Sequence, residues 1–199
     1  MTLKSISVTC VTLCSLSACN LYGDPTSSGF RTPTSSGFLS ETNRNRAGSD
    51  FSGVTGNGYG YELGTVSKDG FHAYSGIVPG ASVSAQPATG SASYTGRYEV
   101  AIISGVTTNG AMAQGFTSID TGALRLTADF DAGTLSGDST SGRNALSMNG
   151  TFDGTALTGT ARYNGVSGPL SGLVGGNEVI GAFHGHDDSQ AHAGGFIAN

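Results

Sequence analysis

Residues 146–165 read LSMNGTFDGTALTGTARYNG, and this stretch decides the fold. Apolar residues and glycine recur at every second position in two runs, which Asp153-Gly154 separates and Asn164-Gly165 follows. Such alternation is typical of a β-strand with one face toward a core. Asp-Gly and Asn-Gly between alternating runs are strong hairpin signals. The stretch therefore predicts consecutive antiparallel strands joined by tight turns.

The same pattern extends in both directions along the chain. Further alternating segments begin near Tyr94, Leu124, Thr134, Val166, Val179 and Gly195. Counted from about residue 71, roughly eight or nine segments follow one another, and no ten-residue window has helical periodicity. The opposite face of these strands is charged at Arg97, Glu99, Arg125, Asp129, Asp138 and Arg162. A barrel that spans the outer membrane needs an apolar band on that face, so we expect only one apolar face per strand and a barrel that does not cross the membrane.

Glycine recurs on the apolar face, two residues after a large side chain. The pairs are Leu135/Gly137, Met148/Gly150, Leu157/Gly159, Leu170/Gly172 and Val179/Gly181. Glycine normally weakens a strand, so this recurrence indicates strong coiling around a tight interior. Closure into a barrel also removes exposed strand edges. We predict an all-β fold, a single antiparallel β-barrel of about eight strands over residues 88–199, with its lumen filled by side chains.

The amino terminus predicts export and lipid attachment. Lys4 precedes a modestly apolar segment that is too short to span a bilayer, as in a signal peptide. Leu16-Ser17-Ala18-Cys19 resembles the lipobox of bacterial lipoproteins. That resemblance implies a signal peptide over residues 1–18, cleavage before Cys19, and acylation of Cys19 with fatty acids such as palmitate. Asn20 in the next position favours an outer-membrane lipid anchor, with the cell surface as one location; an ordinary secretory signal is the alternative.

Residues 19–50 are rich in Ser, Thr, Gly and Pro and contain the unit PTSSGF twice, at 25–30 and 33–38. Such a segment buries too little apolar surface to offset its ordering entropy, so we expect a flexible tether. The alternative is that Phe30 and Phe38 form a motif for a partner. All three cysteines lie in the first nineteen residues, so the mature chain has none available for disulfides within its fold.

The charge balance argues against nucleic acid as a partner. Removing residues 1–18 takes away Lys4 and no acidic residue, which changes the formal net charge from −5 to −6. A phosphate backbone would be repelled by such a surface.

Titratable side chains cluster near the carboxyl terminus, in the segment His186–Ala193 that we predict to be a loop. His184, His186, His192 and Asp187 are weak candidates for a divalent metal or haem site, because imidazole and carboxylate groups ligate such ions. Their spacing matches no recognised metal motif, and a solvated loop is the alternative. No nucleophile elbow is present. We therefore assign no catalytic residue and predict a protein that is not an enzyme.

Three stretches resemble the barrel domain of the transferrin-binding protein B family, which includes factor H-binding protein. They are residues 90–96 (GSASYTG), residues 124–137 (LRLTADF with TLSG), and residues 181–196 (GAFHG followed by GGF). The resemblance covers roughly residues 88–198 and implies a surface lipoprotein that binds a partner. Residues 51–87 would then form a reduced handle domain, and no transferrin contact can be carried over to any residue.

The leading hypothesis is an outer-membrane-anchored binding module for a protein, haem or metal-bearing ligand, with an iron carrier among the candidates. A structural or shielding envelope lipoprotein without a dedicated ligand is the first alternative. An inhibitor or accessory subunit of an exported enzyme is the second.

Overall fold

The computed structural model describes residues 33–39, 51–54, 58–66, 70–109 and 112–199. The predicted signal peptide, the lipobox Leu16-Ser17-Ala18, Cys19 and most of the tether lie outside these residues. The described chain is all-β, as predicted, and its antiparallel strands form a small sheet and a closed barrel. The strands are β1 (Phe51–Val54), β2 (Tyr59–Val66), β3 (Gly70–Ile77), β4 (Ser91–Asn109), β5 (Met112–Asp129), β6 (Thr134–Ser139), β7 (Leu146–Asp153), β8 (Ala156–Tyr163), β9 (Val166–Val174), β10 (Val179–His186) and β11 (Gln190–Ala198). Within the described residues, no helix is long and apolar enough to cross a membrane.

Strands β4–β11 form the predicted barrel of eight strands. Consecutive strands pair as hairpins around the ring, and β11 pairs with β4 to close it, from Gly96 opposite Ala198 to Ser104 opposite Gln190. Two backbone hydrogen bonds between Thr95 and Asn199, of 2.9 and 3.0 Å, extend this closure by one residue. The prediction of a closed antiparallel barrel is therefore confirmed.

The barrel lumen is filled by the alternating apolar residues. The buried set includes Tyr94, Tyr98, Leu124, Leu126, Leu135, Met148, Leu157, Tyr163, Leu170, Phe183 and Phe196. The inward glycines make room for these side chains. A Cβ on Gly137 would lie 2.3 Å from the Leu126 side chain, and one on Gly150 would lie 2.8 Å from the Leu157 side chain. Large and small residues thus interlock across neighbouring strands.

Strands β1–β3 form a separate sheet that packs on the outside of the barrel. Tyr61, Leu63 and Ile77 of this sheet share a buried cluster with outward-facing residues of the barrel, which are Ala101, Ile103, Leu173, Ile180, Ala182, Ala191 and Ala193. Two expectations are corrected here. The strand near residue 71 is not part of the barrel, and β4, β10 and β11 also carry apolar residues on the part of their outer face that the small sheet covers.

The β4–β5 hairpin is longer than the barrel is tall. β11 pairs with β4 only from Gly96 to Ser104, and β6 pairs with β5 only from Leu124 to Asp129. β4 and β5 continue to pair with each other beyond these limits, where the described part of the chain offers them no other strand partner. A bulge between Ser104 and Thr107 shifts their register. Gly105 adopts φ +64° within this bulge, a conformation that suits glycine. The sequence did not predict the strand Met112–Ala123.

Residues 33–39 lie in the predicted tether, yet they are packed against the protein. Gly37 at φ +81° closes a turn in which its N–H donates to the Thr34 carbonyl at 2.8 Å. Phe38 then forms a parallel bridge with Ile77, and Leu39 is only 3% exposed. The expectation of a flexible spacer is wrong for these residues, since two consecutive apolar side chains and a free strand edge on β3 offset the ordering entropy.

Candidate binding surface

One end of the barrel carries the projecting β4–β5 hairpin, and we call it the hairpin end. It comprises the hairpin beyond Ser104 and Ile119, the loop at residues 140–145, the turn Asn164-Gly165 and the loop at residues 187–189. The Val106 N–H donates to the Ser189 carbonyl at 3.3 Å, so the last loop braces the hairpin. The Asn164 and Gln190 side chains hydrogen-bond at 2.9 Å and tie the turn to β11.

A buried carboxylate organises this end of the barrel. Asp120 Oδ2 accepts from the Tyr163 hydroxyl at 2.6 Å and from the Asn144 N–H at 3.1 Å, and Oδ1 accepts from the Arg143 N–H at 2.9 Å. Burial by itself would raise the pKa of Asp120, but these hydrogen bonds outweigh it and hold the pKa below its ordinary value. The loop at residues 140–145 is therefore pinned to β5 by a charged group.

The hairpin exposes apolar side chains. Among the described residues, the exposed large hydrophobic side chains are Phe116 (78% exposed) and Ile119 (46% exposed), and both lie in β5. Three residues apart in a strand, they project from opposite faces. The Phe116 ring lies over Gly105, since a Cβ there would be 3.3 Å from the ring.

One edge of β5 has no strand partner over this segment, within the described part of the chain. β6 ends its pairing at Leu124, and the loop at residues 140–145 covers the next stretch through hydrogen bonds to Ala123 and Asp120. From Gly115 to Ile119 the edge stays open, with Phe116 and Ile119 flanking it on the two faces. An open edge between apolar side chains is suited to receive an extended segment of another protein.

The structure does not bring the three candidate histidines together. His184 and His186 share the outer face of β10, as the alternation predicted. His192 instead points into the lumen, where its ring lies 5.4 Å from that of Tyr163 and 6.0 Å from that of Phe183. The prediction of a loop over His186–Ala193 is wrong, because β11 begins at Gln190. Asp187 Oδ1 accepts from the N–H groups of Ser189 at 2.8 Å and Gln190 at 2.9 Å, which closes a tight turn.

These placements bear on whether the four candidates could hold one metal ion together. Burial lowers the pKa of His192 to about 4, and the residue is 1% exposed, so its ring is shielded from solvent. Asp187 Oδ1 already accepts hydrogen bonds from Ser189 and Gln190 within the turn. Within the described residues no group of three or more His, Cys, Asp or Glu side chains is arranged to hold a metal ion. The four candidates therefore do not converge on one metal ion in this structure.

No protein-family model and no curated protein matches the chain. Solved structures do, including that of transferrin binding protein B from Haemophilus parasuis, at 18% identity, with 77% of this chain and 37% of that chain covered and a TM-score of 0.47. Transferrin binding protein B from Neisseria meningitidis matches at 16% identity, with 81% and 38% covered and a TM-score of 0.40. The haemoglobin receptor HpuA from Kingella denitrificans matches at 18% identity, with 78% and 60% covered and a TM-score of 0.35. The chain thus spans less than two thirds of the length of each.

A second concave surface lies on the outer wall of the barrel. This groove of about 380 Å³ runs between residues 33–37 and the outer faces of β8 and β9, and it reaches Ser75 and His184. The Ser75 hydroxyl and His184 Nδ1 are hydrogen-bonded at 3.1 Å. Burial lowers the pKa of His184 to about 4, so the imidazole is neutral at pH 7. Hydroxyl groups and proline rings dominate the remaining lining.

Sequence reasoning missed Phe116 and Asp120. Residues 112–119 read MAQGFTSI, in which apolar and polar residues do not alternate, so no strand was predicted there. The position of Asp120 in the alternation of inward and outward residues was a usable signal. It continues the even-numbered inward series of Gly122, Leu124 and Leu126, and a carboxylate in an inward position calls for hydrogen-bond donors nearby.

Proposed function

We propose that this chain is a lipid-anchored outer-membrane lipoprotein that captures a protein ligand at the hairpin end of its barrel. The observation that carries the proposal is the open edge of β5 at Gly115–Ile119, flanked by Phe116 and Ile119. A ligand strand added to this edge would gain main-chain hydrogen bonds and contact an apolar side chain on each face. Aromatic residues, Phe among them, are enriched at protein–protein interfaces.

The rigidity of the surrounding barrel supports the same proposal. The lumen is filled by buried side chains, which directs a ligand to the outer surface and the loops. The hairpin is held by the brace from Ser189 and by the pinned loop around Asp120, so its recognition edge is formed before the ligand arrives. Preorganisation of this kind lowers the entropic cost of binding.

The anchor and the ligand class rest on the sequence. Leu16-Ser17-Ala18-Cys19 supports lipid attachment at Cys19, and Asn20 supports the outer membrane. Resemblance to the transferrin-binding protein B family supports an iron-carrying protein as the ligand. Transferrin and haemoglobin are therefore the first probes.

Site-specific photo-crosslinking on living cells tests the proposal. Benzoylphenylalanine replaces Phe116 in the intact lipoprotein, and replaces Thr160, an exposed residue on β8, in a matched control. We expect a discrete adduct from position 116 and none from position 160. In the purified mature chain, Phe116→Ser should weaken binding of the cross-linked partner by about tenfold or more, and Thr160→Ala should leave it unchanged.

Other outcomes would contradict capture at the hairpin end. Equal affinity of the Phe116→Ser and unmodified chains would exclude the hairpin as the site. An absence of adducts at both positions, with envelope defects in a deletion strain, would favour the structural or shielding role. An exported enzyme as the adduct, with its activity lowered by the chain, would favour the inhibitor role.

A further inference from the structure

The hexapeptide PTSSGF occurs twice in identical form, and the structure describes the second copy, Pro33–Phe38, in a docked position. The first copy, Pro25–Phe30, lies outside the described residues. We propose that the surface under the second copy is a binding site for this hexapeptide as such, and that the first copy is its alternative ligand. The chain would then dock its amino-terminal segment in either of two registers, eight residues apart.

Several of the contacts that hold the second copy come from groups within the six residues. The Ile77 N–H donates to the Gly37 carbonyl at 2.9 Å, and Phe38 bridges Ile77 in parallel. Inside the motif, the Thr34 N–H donates to the Phe38 carbonyl at 2.9 Å, and Thr34 Oγ1 accepts from the Phe38 N–H at 3.2 Å. The first copy has the same residue at each of these positions, so it can form the same turn and the same contacts with β3.

Glycine in the fifth position of the motif makes the site selective. Gly37 adopts φ +81°, and a Cβ on it would lie 2.3 Å from the Cβ of Ser171 on β9. Any side chain there would meet both backbone strain and a direct clash. Gly29 satisfies this requirement in the first copy. The site therefore reads a short sequence with glycine at a fixed place, rather than any extended segment.

The residue after the motif decides which copy is docked. Leu39 follows the second copy, is 3% exposed, and its N–H donates to the Ile77 carbonyl at 2.8 Å. The equivalent residue after the first copy is Arg31. Placing a guanidinium where Leu39 is buried is costly unless it finds a partner. The second copy is therefore the dominant ligand, and the first copy takes its place when the Leu39 contact is lost.

Docking by the first copy would shorten the free chain between Cys19 and the domain. Eight residues span at most about 26–29 Å when extended. Exchange of the two copies would thus give the same domain two different maximum distances from the membrane. This consequence rests on the proposed lipid attachment at Cys19, whereas the exchange itself does not.

Hydrogen exchange followed by mass spectrometry tests the exchange in the mature chain with Cys19→Ser. The decisive variant swaps the residues after the two motifs, Arg31→Leu with Leu39→Arg. We expect slow exchange to move from residues 33–39 to residues 25–31, while the Ile77 amide keeps its protection. The control adds Gly29→Ala to the swap, which excludes both copies and should accelerate exchange at Ile77 by about tenfold or more.

Two results would overturn the proposal. The first is an Ile77 amide that exchanges as fast in the swapped chain as in the Gly29→Ala control, since the first copy would then not bind. The second is slow exchange that remains at residues 33–39 in the swapped chain, since Leu39 would then not set the register. Neither readout uses a ligand or a membrane. A failure of the proposed ligand capture would therefore not change the outcome of this experiment.

Discussion

Gly181 and Phe196 face each other across the β10–β11 ladder, and the Phe196 ring occupies the space that a side chain on Gly181 would need. A Cβ on Gly181 would lie 2.1 Å from Phe196 Cζ, and Phe196 is fully buried. We expect Gly181→Ala to lower the free energy of unfolding by about 1–3 kcal/mol through overpacking of the lumen. Urea denaturation at pH 7 measures this, with Thr160→Ala as a surface control. Equal midpoints for the two variants would contradict the packing role of Gly181.

Tyr61 joins the small sheet to the barrel through one short hydrogen bond. Its hydroxyl donates to Glu99 Oε1 at 2.5 Å, across the interface between β2 and β4. The pKa of Tyr61 is raised mainly by burial, and further by this hydrogen bond and by the charge of the Glu99 carboxylate. The phenol therefore stays protonated. Tyr61→Phe should cost about 1.5–3 kcal/mol, the range for a hydrogen bond to a charged group. Hydrogen exchange should accelerate in β2 and β3 while β6–β8 stay unchanged; uniform acceleration would mean that the two sheets unfold as one unit.

Asp120 should make the hairpin end sensitive to acid. Its hydrogen bonds lower its pKa in the folded state, so its contribution to stability is present above the unfolded value of about 3.9 and is lost as pH falls below it. Asp120→Asn should therefore destabilise the chain by about 1–3 kcal/mol at pH 7 and by clearly less at pH 3. Urea denaturation at both pH values measures the difference. Tyr163→Phe, which keeps the carboxylate but removes one donor, is the matched control. A penalty that stays constant with pH would show that Asp120 acts by shape alone.

His192 gives a second pH dependence, in a different window. Its pKa is about 4 in the folded chain, mainly because of burial, against about 6.5 when unfolded. Between these values only the unfolded chain takes up the proton, so stability falls as pH drops from 6.5 to 4, by up to about 1.4 kcal/mol per pH unit. His184 has a pKa lowered to about 4 as well and acts in the same direction.

His192→Leu should reduce the slope of stability against pH in this window and leave stability at pH 7 unchanged or raised by about 1 kcal/mol. The reason is that, among the described residues, neither ring nitrogen of His192 has a hydrogen-bond partner. Thermal unfolding between pH 4 and pH 7 measures the slope. His186→Gln, at an exposed position of the same hairpin, controls for loss of a histidine. A His192→Leu chain that retains the full slope would contradict the assignment.

The alternation of residues along the strands was enough to predict the barrel and the inward glycines. It was not enough to predict the small sheet on its outer wall. The evidence was nevertheless present in the run Val100-Ala101-Ile102-Ile103, since four apolar residues in a row indicate a strand buried on both faces. The run Val179-Ile180 in β10 carries the same signal. Reading these runs as one-faced strands led to the expectation of a polar outer surface.

The candidate site was harder to predict, for a physical reason. Phe116 matters because it is exposed on a hairpin that outgrows its neighbours, and the length of a strand relative to its neighbours is set by pairing between distant residues. His192 shows the converse case. Its nearness in sequence to His184 and His186 suggested a shared site, but the strand phase sends it to the opposite side of the sheet.

The pairing of β11 with β4 has a consequence for how the chain is made. Gly96 and Ala198 are partners although about one hundred residues separate them, so the ring closes only when the last strand has emerged. Such long-range pairing is slow, because loop-closure entropy is lost before the contacts form. During synthesis, the partly emerged chain would therefore leave the edges of β4 and β10 open. A chaperone that covers strand edges would then act on this chain at the stage before β11 arrives.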